Sequence, residues 1–448
     1  MPLDPLDASE YQERRTQLIS QLSVNGASSA VAVLPAATLQ IRNNDADYPF
    51  RQHSDFLYLT GLEQPDAVLV LLPNRAEGEY VLFCPKEDPE KTIWEGRQVG
   101  PERACAEYGA DQAYPLEELA EKLTELLTDR TVLFYDLKGR LDDTVLASID
   151  ALKKKVRKGV KAPREIHGLS DQIAEMRCIK SPVEIAKIEK ACEISVDAHR
   201  RAMRFAAPGR YEYQLEAELL HEFMSRGARF PAYQSIVGAG ANACTLHYVE
   251  NAAKIKKDDL VLIDAGAEWQ YYAADITRTF PASGRFTEPQ KALYECVLNA
   301  QTAVLDMIKP GVLWPTLQEK AVRLLTQGLL DLGILSGEVD ACIEKKAYRD
   351  FYMHGIGHWL GLDVHDAGVY KKEDKGRPLE VGMVFTVEPG LYVAEDAKVA
   401  EQWRGIGIRI EDDVLVTETG CRVLTKDVPK TVAEIERLVQ SSANAPSP

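Results

Sequence analysis

The hydrophobic pattern changes character about a third of the way along the chain. Before residue 165, short apolar runs rich in β-branched residues, 30–34 (AVAVL), 67–72 (AVLVLL), 80–84 (YVLFC) and 131–135 (TVLFY), read as strands. Between them, 116–127 (LEELAEKLTELL) repeats leucine at helical spacing with acidic residues opposite, which predicts an amphipathic helix. Strands and helices alternating in this way define an α/β domain, taken as residues 1–170. The segment 159–170 (GVKAPREIHGLS) loses periodicity and reads as a connector.

A different texture follows. Ser181 stands before Pro182, with Glu184 three residues after the serine, the pattern of a capping box opening a helix to about residue 206. Helices are also predicted over 213–226, 288–308 and 314–332. After residue 245 strands dominate. The runs 260–265 and 272–280 read as a hairpin around a turn at 268–270, and 384–387 and 406–416 (IGIRIEDDVLV) as further strands. Helices gathered on one side of a mostly antiparallel sheet make an α+β domain over 171–448. The closing SSANAPSP is expected to fray.

Acidic residues interrupt these strands where a packed core should not tolerate them. Asp264 ends the run LVLID, and Asp275 lies in the returning strand. Facing each other across a hairpin, two such carboxylates repel unless one takes a proton or a cation intervenes. Glu388 follows the run VFTV and precedes a Pro-Gly turn. Glu411 lies within IGIRIEDDVLV, where strand alternation puts Arg409, Glu411 and Asp413 on one face. Any one of these acids taken alone is a solvated strand end. Four attached to buried-looking strands point to a metal site.

Three of the eight histidines, His354, His358 and His365, fall within MHGIGHWLGLDVHD. His354 and His358 are four apart, but Gly355 and Gly357 disfavour a helix, and no Glu follows His354, so the helical zinc-protease motif is excluded. A glycine-rich loop carrying imidazoles to a substrate fits, with core histidines as the alternative. Four carboxylates and an imidazole suit Mn²⁺, Mg²⁺ or Co²⁺, with Zn²⁺ able to compete. Two such ions about 3.5–4 Å apart can activate water at neutral pH, which implies hydrolysis of an amide.

Composition narrows the class. The net charge of −16 argues against nucleic-acid binding, and the basic run 153–158 reads as a solvated face. Eight cysteines without a CxxC pair exclude a zinc knuckle or redox dithiol. The acidic start lacks a signal peptide's features and no apolar run reaches about 18 residues, so a cytoplasmic protein without a membrane partner is expected.

Several motifs taken together resemble the aminopeptidase P and prolidase family, within the wider group containing methionine aminopeptidase and creatinase. They are the Asp-Ala-Gly at 264–266 with a second Asp eleven residues after the first, HGIGHWLGLDVHD, VEPGLY, RGIGIRIEDD, and the N-terminal DYPFRQHSDFLYLTGLEQPDAVLVL. The resemblance implies a pita-bread catalytic domain holding two divalent ions, usually Mn²⁺, with Co²⁺ or Zn²⁺ possible. Carried over, the ligands are Asp264, Asp275, His358, Glu388 and Glu411. Asp275 and Glu411 bridge, Asp264 holds one ion, and His358 with Glu388 holds the other. Glu388 also handles the proton of the attacking water. His247 and His365 contact the substrate, His354 and Arg409 shape the proline side, and Trp94 reaches a neighbouring subunit's site in a homotetramer. Gly357 counts as a variable position. The implied activity is release of the residue preceding a proline at a peptide's N-terminus. The alternatives are an Xaa-Pro dipeptidase and a non-enzymatic binding protein on the same fold.

Overall fold

The computed structural model describes residues 8–24 and 29–443. The chain divides into two compact units, Pro2–Met176 and Arg177–Pro448.

The N-terminal unit is built on a six-stranded sheet. Its spatial order is Gln112–Pro115, Tyr80–Cys84, Val68–Leu71, Ala30–Pro35, Val132–Phe134, Glu165–His167. The Ala30–Pro35, Val68–Leu71 and Tyr80–Cys84 strands pair antiparallel, and the strands flanking them add in parallel. Every residue of Val68–Leu71 and Tyr80–Cys84 is buried, so both sheet faces are covered, which is why these segments read as unbroken apolar runs. The predicted amphipathic segment forms a short 3₁₀ turn, Leu116–Glu118, and the helix Leu119–Leu126. Leu119, Leu123 and Leu126 pack with Val31, Val33, Val70 and Val81 in one cluster. The expected connector is not structureless. It contributes the edge strand Glu165–His167, whose three exposed residues include a single apolar one, Ile166, too little to read as an apolar run. The 153–158 run is exposed throughout.

In the second unit, helices pack against sheets whose paired strands are all antiparallel, an α+β architecture. Ser181 caps the Pro182–Phe205 helix, accepting from Glu184 N, while the Glu184 side chain returns to Ser181 N, as the capping box predicts. The helices Glu212–Ser225, Glu288–Leu305 and Trp314–Asp331 follow at the predicted places. Ala198, Ala202, Leu219 and Phe223 from the first two pack against Val261, Ile263 and Phe280 of the sheet in the largest hydrophobic cluster.

Two expectations change in detail. The predicted hairpin is split: Leu260–Asp264 pairs with Thr277–Pro281, while Ala267–Trp269 pairs with Tyr272–Ala273 in a separate sheet. Gln270 and Tyr271 both take positive φ in the connecting turn, at 50° and 68°, the backbone of a tight two-residue hairpin turn. Likewise IGIRIEDDVLV is two strands, Ile406–Arg409 and Asp412–Val416, which pair with different partners. Of the expected tail 441–448, the first three residues end the Val432–Ala443 helix, and 444–448 lie outside the described residues. Among the described residues, no helix is long and apolar enough to cross a membrane.

Candidate active site

The split hairpin and the broken strand meet at one cavity of about 490 Å³, walled by Asp264, Asp275, His358, Glu388 and Glu411. His247, His354, His365 and Arg409 also line it. Asp264 sits at the last residue of its strand, opposite Thr277. Asp275 lies two residues before Thr277, in the stretch that crosses between the two sheets. That crossing is tight: a Cβ on Gly266 would lie 1.6 Å from Ala274 O, so residue 266 has to be glycine.

Charge density is the dominant feature of the site. Asp275, His358 and Glu411 each offer a donor atom lying within 4.8 Å of the others. His358 Nε2 stands 3.3 Å from Asp275 and 3.6 Å from Glu388. Its other nitrogen, Nδ1, is 3.0 Å from Trp359 O. A proton on Nδ1 satisfies that carbonyl and leaves Nε2 facing the carboxylates, where it can share a proton with them or serve a cation between them, the arrangement that orients an imidazole ligand. Burial opposes a charge on His358, but the hydrogen bond and charge of Asp275 outweigh it and raise its pKa to about 9. Burial raises the Glu388 carboxyl to about 7. Burial, then the neighbouring Asp275, pushes Glu411 well above the carboxylate range. Asp264 is also raised, by burial first, against the pull of Arg409.

Tyr233, from the loop after the Phe230–Pro231 strand, places its hydroxyl 2.6 Å from Asp264 and in contact with Asp275. A phenol has one proton to give, so two ionised carboxylates cannot both be satisfied by it. The site as built is short of positive charge. Carboxylate oxygens with one oriented imidazole nitrogen fit a hard divalent cation, which supplies that charge.

The remaining predicted residues divide by role. Arg409 is committed: its nitrogens bond Asp264 Oδ2 at 2.6 Å, Tyr392 at 2.9 Å and Thr277 at 3.1 Å. Thr277 in turn donates to Glu411 Oε2 at 2.7 Å. His354 bonds the Tyr392 hydroxyl at 2.9 Å, and burial, then Arg409, lowers its pKa to about 4, so it is neutral. His365 stacks its ring edge on His358, with centroids 4.2 Å apart. His247 follows the Gly240–Cys244 turn at the exposed rim. Trp94 is not among the cavity residues. It belongs to the N-terminal unit and is 87% exposed on the Pro89–Glu95 helix. Gly357 departs from the expectation of a variable position: a Cβ there would lie 1.9 Å from Thr386 O, whereas one on Gly355 meets nothing closer than 3.9 Å. Tyr233, Thr277 and Tyr392 escaped the sequence reading, because none interrupts a pattern as a buried acid does.

Fold and site together define a metallopeptidase. The metallopeptidase family M24 model matches residues 186–418 and the aminopeptidase P N-terminal domain model matches residues 11–135; the chain belongs to family M24. It is 46% identical to the Xaa-Pro aminopeptidase of Haemophilus influenzae, over 97% of this chain and 98% of that protein. Identity to the Xaa-Pro aminopeptidase of Escherichia coli is 45%, over 98% and 99% of the two chains. Among solved structures, the Pseudomonas aeruginosa aminopeptidase PepP superposes with a TM-score of 0.95 at 49% identity, covering 98% of this chain and 99% of that one.

Proposed function

We propose that this chain is an aminopeptidase that hydrolyses the first peptide bond of substrates carrying proline at the second position. The observation that carries the reading is the cavity in which Asp264, Asp275, His358, Glu388 and Glu411 converge. Chains of the same length and fold named Xaa-Pro aminopeptidase support it. In this reading the five residues would hold two divalent ions, Mn²⁺ by preference, with Co²⁺ or Zn²⁺ able to replace it. Asp275 and Glu411 would be shared by both ions, Asp264 would hold one of them, and His358 with Glu388 would hold the other. The compact grouping of Asp275, His358 and Glu411 supports a shared position, and a relative from E. coli, 44% identical, is known in a Zn-substituted form with product.

The ions, when bound, supply Lewis-acid activation of water and of the scissile carbonyl. The chain's own residues do the rest. Glu388, on the cavity wall 3.6 Å from His358, would take a proton from the attacking water and return it to the proline nitrogen as the C–N bond breaks. Water is thereby divided between the released residue and the new N-terminal proline. His365 and His247, at the cavity mouth, donate to the oxygen of the tetrahedral intermediate. His354 and Arg409 border the proline ring, which lacks an N–H and has a fixed φ.

Arg409 bears on the choice between an aminopeptidase and a dipeptidase. A strict dipeptidase needs a cation for the proline carboxylate; here Arg409 is already ion-paired with Asp264 and donates to Tyr392 and Thr277, which makes it a poorer partner for a second carboxylate. Xaa-Pro-Yaa tripeptides should therefore be cut with higher kcat/KM than Xaa-Pro dipeptides, assayed as a panel under Mn²⁺, Co²⁺ and Zn²⁺. A dipeptide preferred by tenfold, about 1.4 kcal/mol, would install the dipeptidase reading instead. The proposal includes a cytoplasmic homotetramer with Trp94 at a neighbouring subunit's site. Eight free cysteines accord with a reducing compartment, and an exposed tryptophan with an interface. A fully active monomer in sedimentation at micromolar concentration would remove the tetramer.

A further inference from the structure

The two strand pairs under the cavity are interrupted at a shared point. Val387 pairs with Asp412, and Gly390 with Arg409. Glu388 and Pro389 on one side, and Ile410 and Glu411 on the other, fall in the gap. Both glutamates thus stand at the break, and their N–H groups turn away from each other. Glu388 N donates to Ile356 O at 2.8 Å and Glu411 N to Thr277 O at 3.1 Å, leaving one cross-bond, Ile410 N to Pro389 O at 3.3 Å. Buried carbonyls at such a break need donors from elsewhere.

Gln301, fully buried on the Glu288–Leu305 helix, supplies them. Its Nε2 donates to Val387 O at 3.2 Å and Ile410 O at 3.1 Å, the carbonyls immediately preceding the two glutamates. The same nitrogen lies 3.1 Å from Asp412 Oδ2, and Oε1 accepts from Lys430 Nζ at 3.2 Å. Acceptors on one side and an ammonium on the other fix which way the amide points. Asp412 is held in turn by Arg278 at 2.6 Å and Lys430 at 2.7 Å. Arg278 also donates to Thr277 O and Glu411 O.

We propose that Gln301 is a positioning residue that sets the separation of Glu388 and Glu411 and thereby the affinity of the site for its divalent ions. This rests on the reading of those glutamates as ligands. The structure supplies a reason for a buried glutamine at 301: one amide joins the two backbones that carry them.

Calorimetric titration of the chelator-stripped full chain with Mn²⁺ tests this. Gln301→Met, close in volume but without donors, should bind about 10–100-fold more weakly, the usual loss when a ligand's support is removed. Thr326→Val removes a comparably buried bond, to Val322 O at 2.6 Å within a helix, and should lower stability without changing that affinity. The rise in Tm on adding Mn²⁺ provides a second readout. A merely structural role lowers the metal-free and metal-loaded Tm alike, whereas the proposed role shrinks the rise. If Gln301→Met does not fold, Gln301→Asn, which withdraws the amide by one methylene, carries the same expectation. Affinity within twofold of the parent in the folded variant would overturn the proposal. Glu411→Gln separates the two levels: undiminished Mn²⁺ binding there would sink the ligand reading itself.

Discussion

The two units bury different chemistry between their strands. In the N-terminal unit, Val68–Leu71 and Tyr80–Cys84 bury aliphatic and aromatic side chains. In the second unit, Thr277–Pro281 buries Thr277, Arg278 and Thr279, and Asp412–Val416 buries Asp412 and Asp413. A strand of the first kind is held by area removed from water. One of the second kind holds only if partners meet its polar groups, as Arg278 and Asp412 meet each other. The first kind of strand can be replaced by any similar apolar run, the second only together with its partners. That is why chemistry concentrates in the second unit.

The comparison can be broken most sharply at Asp275. Asp275→Asn removes a charge without changing shape, and should lower both bound metal and activity, the latter by at least about 10³-fold, typical of an essential electrostatic group. Metal analysis beside a peptidase assay measures this; full activity would mean the buried acid is structural after all. His365→Ala should keep the metal while losing roughly 10²–10³ in kcat, and loss of metal would make His365 a ligand. The N-terminal unit should behave oppositely. Leu123→Ala, in the Leu119–Leu126 helix, costs only packing and should lower stability by about 2–5 kcal/mol with metal content unchanged. Denaturant unfolding with metal analysis compares the two.

The smallest effect is one of pH. His199, wholly buried, has Nε2 2.8 Å from Ala265 O, and burial lowers its pKa to about 4. The unfolded chain binds this proton near pH 6.5, so between 6.5 and about 4 it holds more protons than the folded state. Its contribution is therefore complete above 6.5 and declines as pH falls through that window. Roughly 2 kcal/mol should be lost between pH 7 and 5. Unfolding curves of the parent and of His199→Gln at those two pH values isolate the difference. Equal pH slopes would show that His199 is not the group responsible.

What the sequence made legible follows from the same contrast. The Ser181 cap, the Tyr80–Cys84 strand and the buried helix leucines are local signals, and the structure has them where the pattern put them. The acids at 264, 275, 388 and 411 could be seen because each breaks an apolar run. Their pairings could not. Tyr233 meets residues 31 and 42 positions away, and an isolated Tyr violates no pattern; Arg409 stood out beside Glu411, but its bond to Asp264, 145 positions away, did not. The interruption of IGIRIEDDVLV was hidden for another reason. Its alternation continues through the gap, and only the pairing partners change.

The glycines of the histidine loop have a consequence for anyone building variant libraries of this enzyme. Position 355 lines the same cavity and a Cβ there meets nothing closer than 3.9 Å, so a saturation library should return active clones with small side chains and lose activity as larger ones fill the substrate space. Position 357 lies against the carbonyl of Thr386, which also carries a ligand-bearing strand towards Glu388. Any side chain at 357 has to push that strand, and with it the spacing between His358 and Glu388. Alanine at 357 is then a ruler for the active centre: the activity it retains measures how far the two ligands can separate before the chemistry stops.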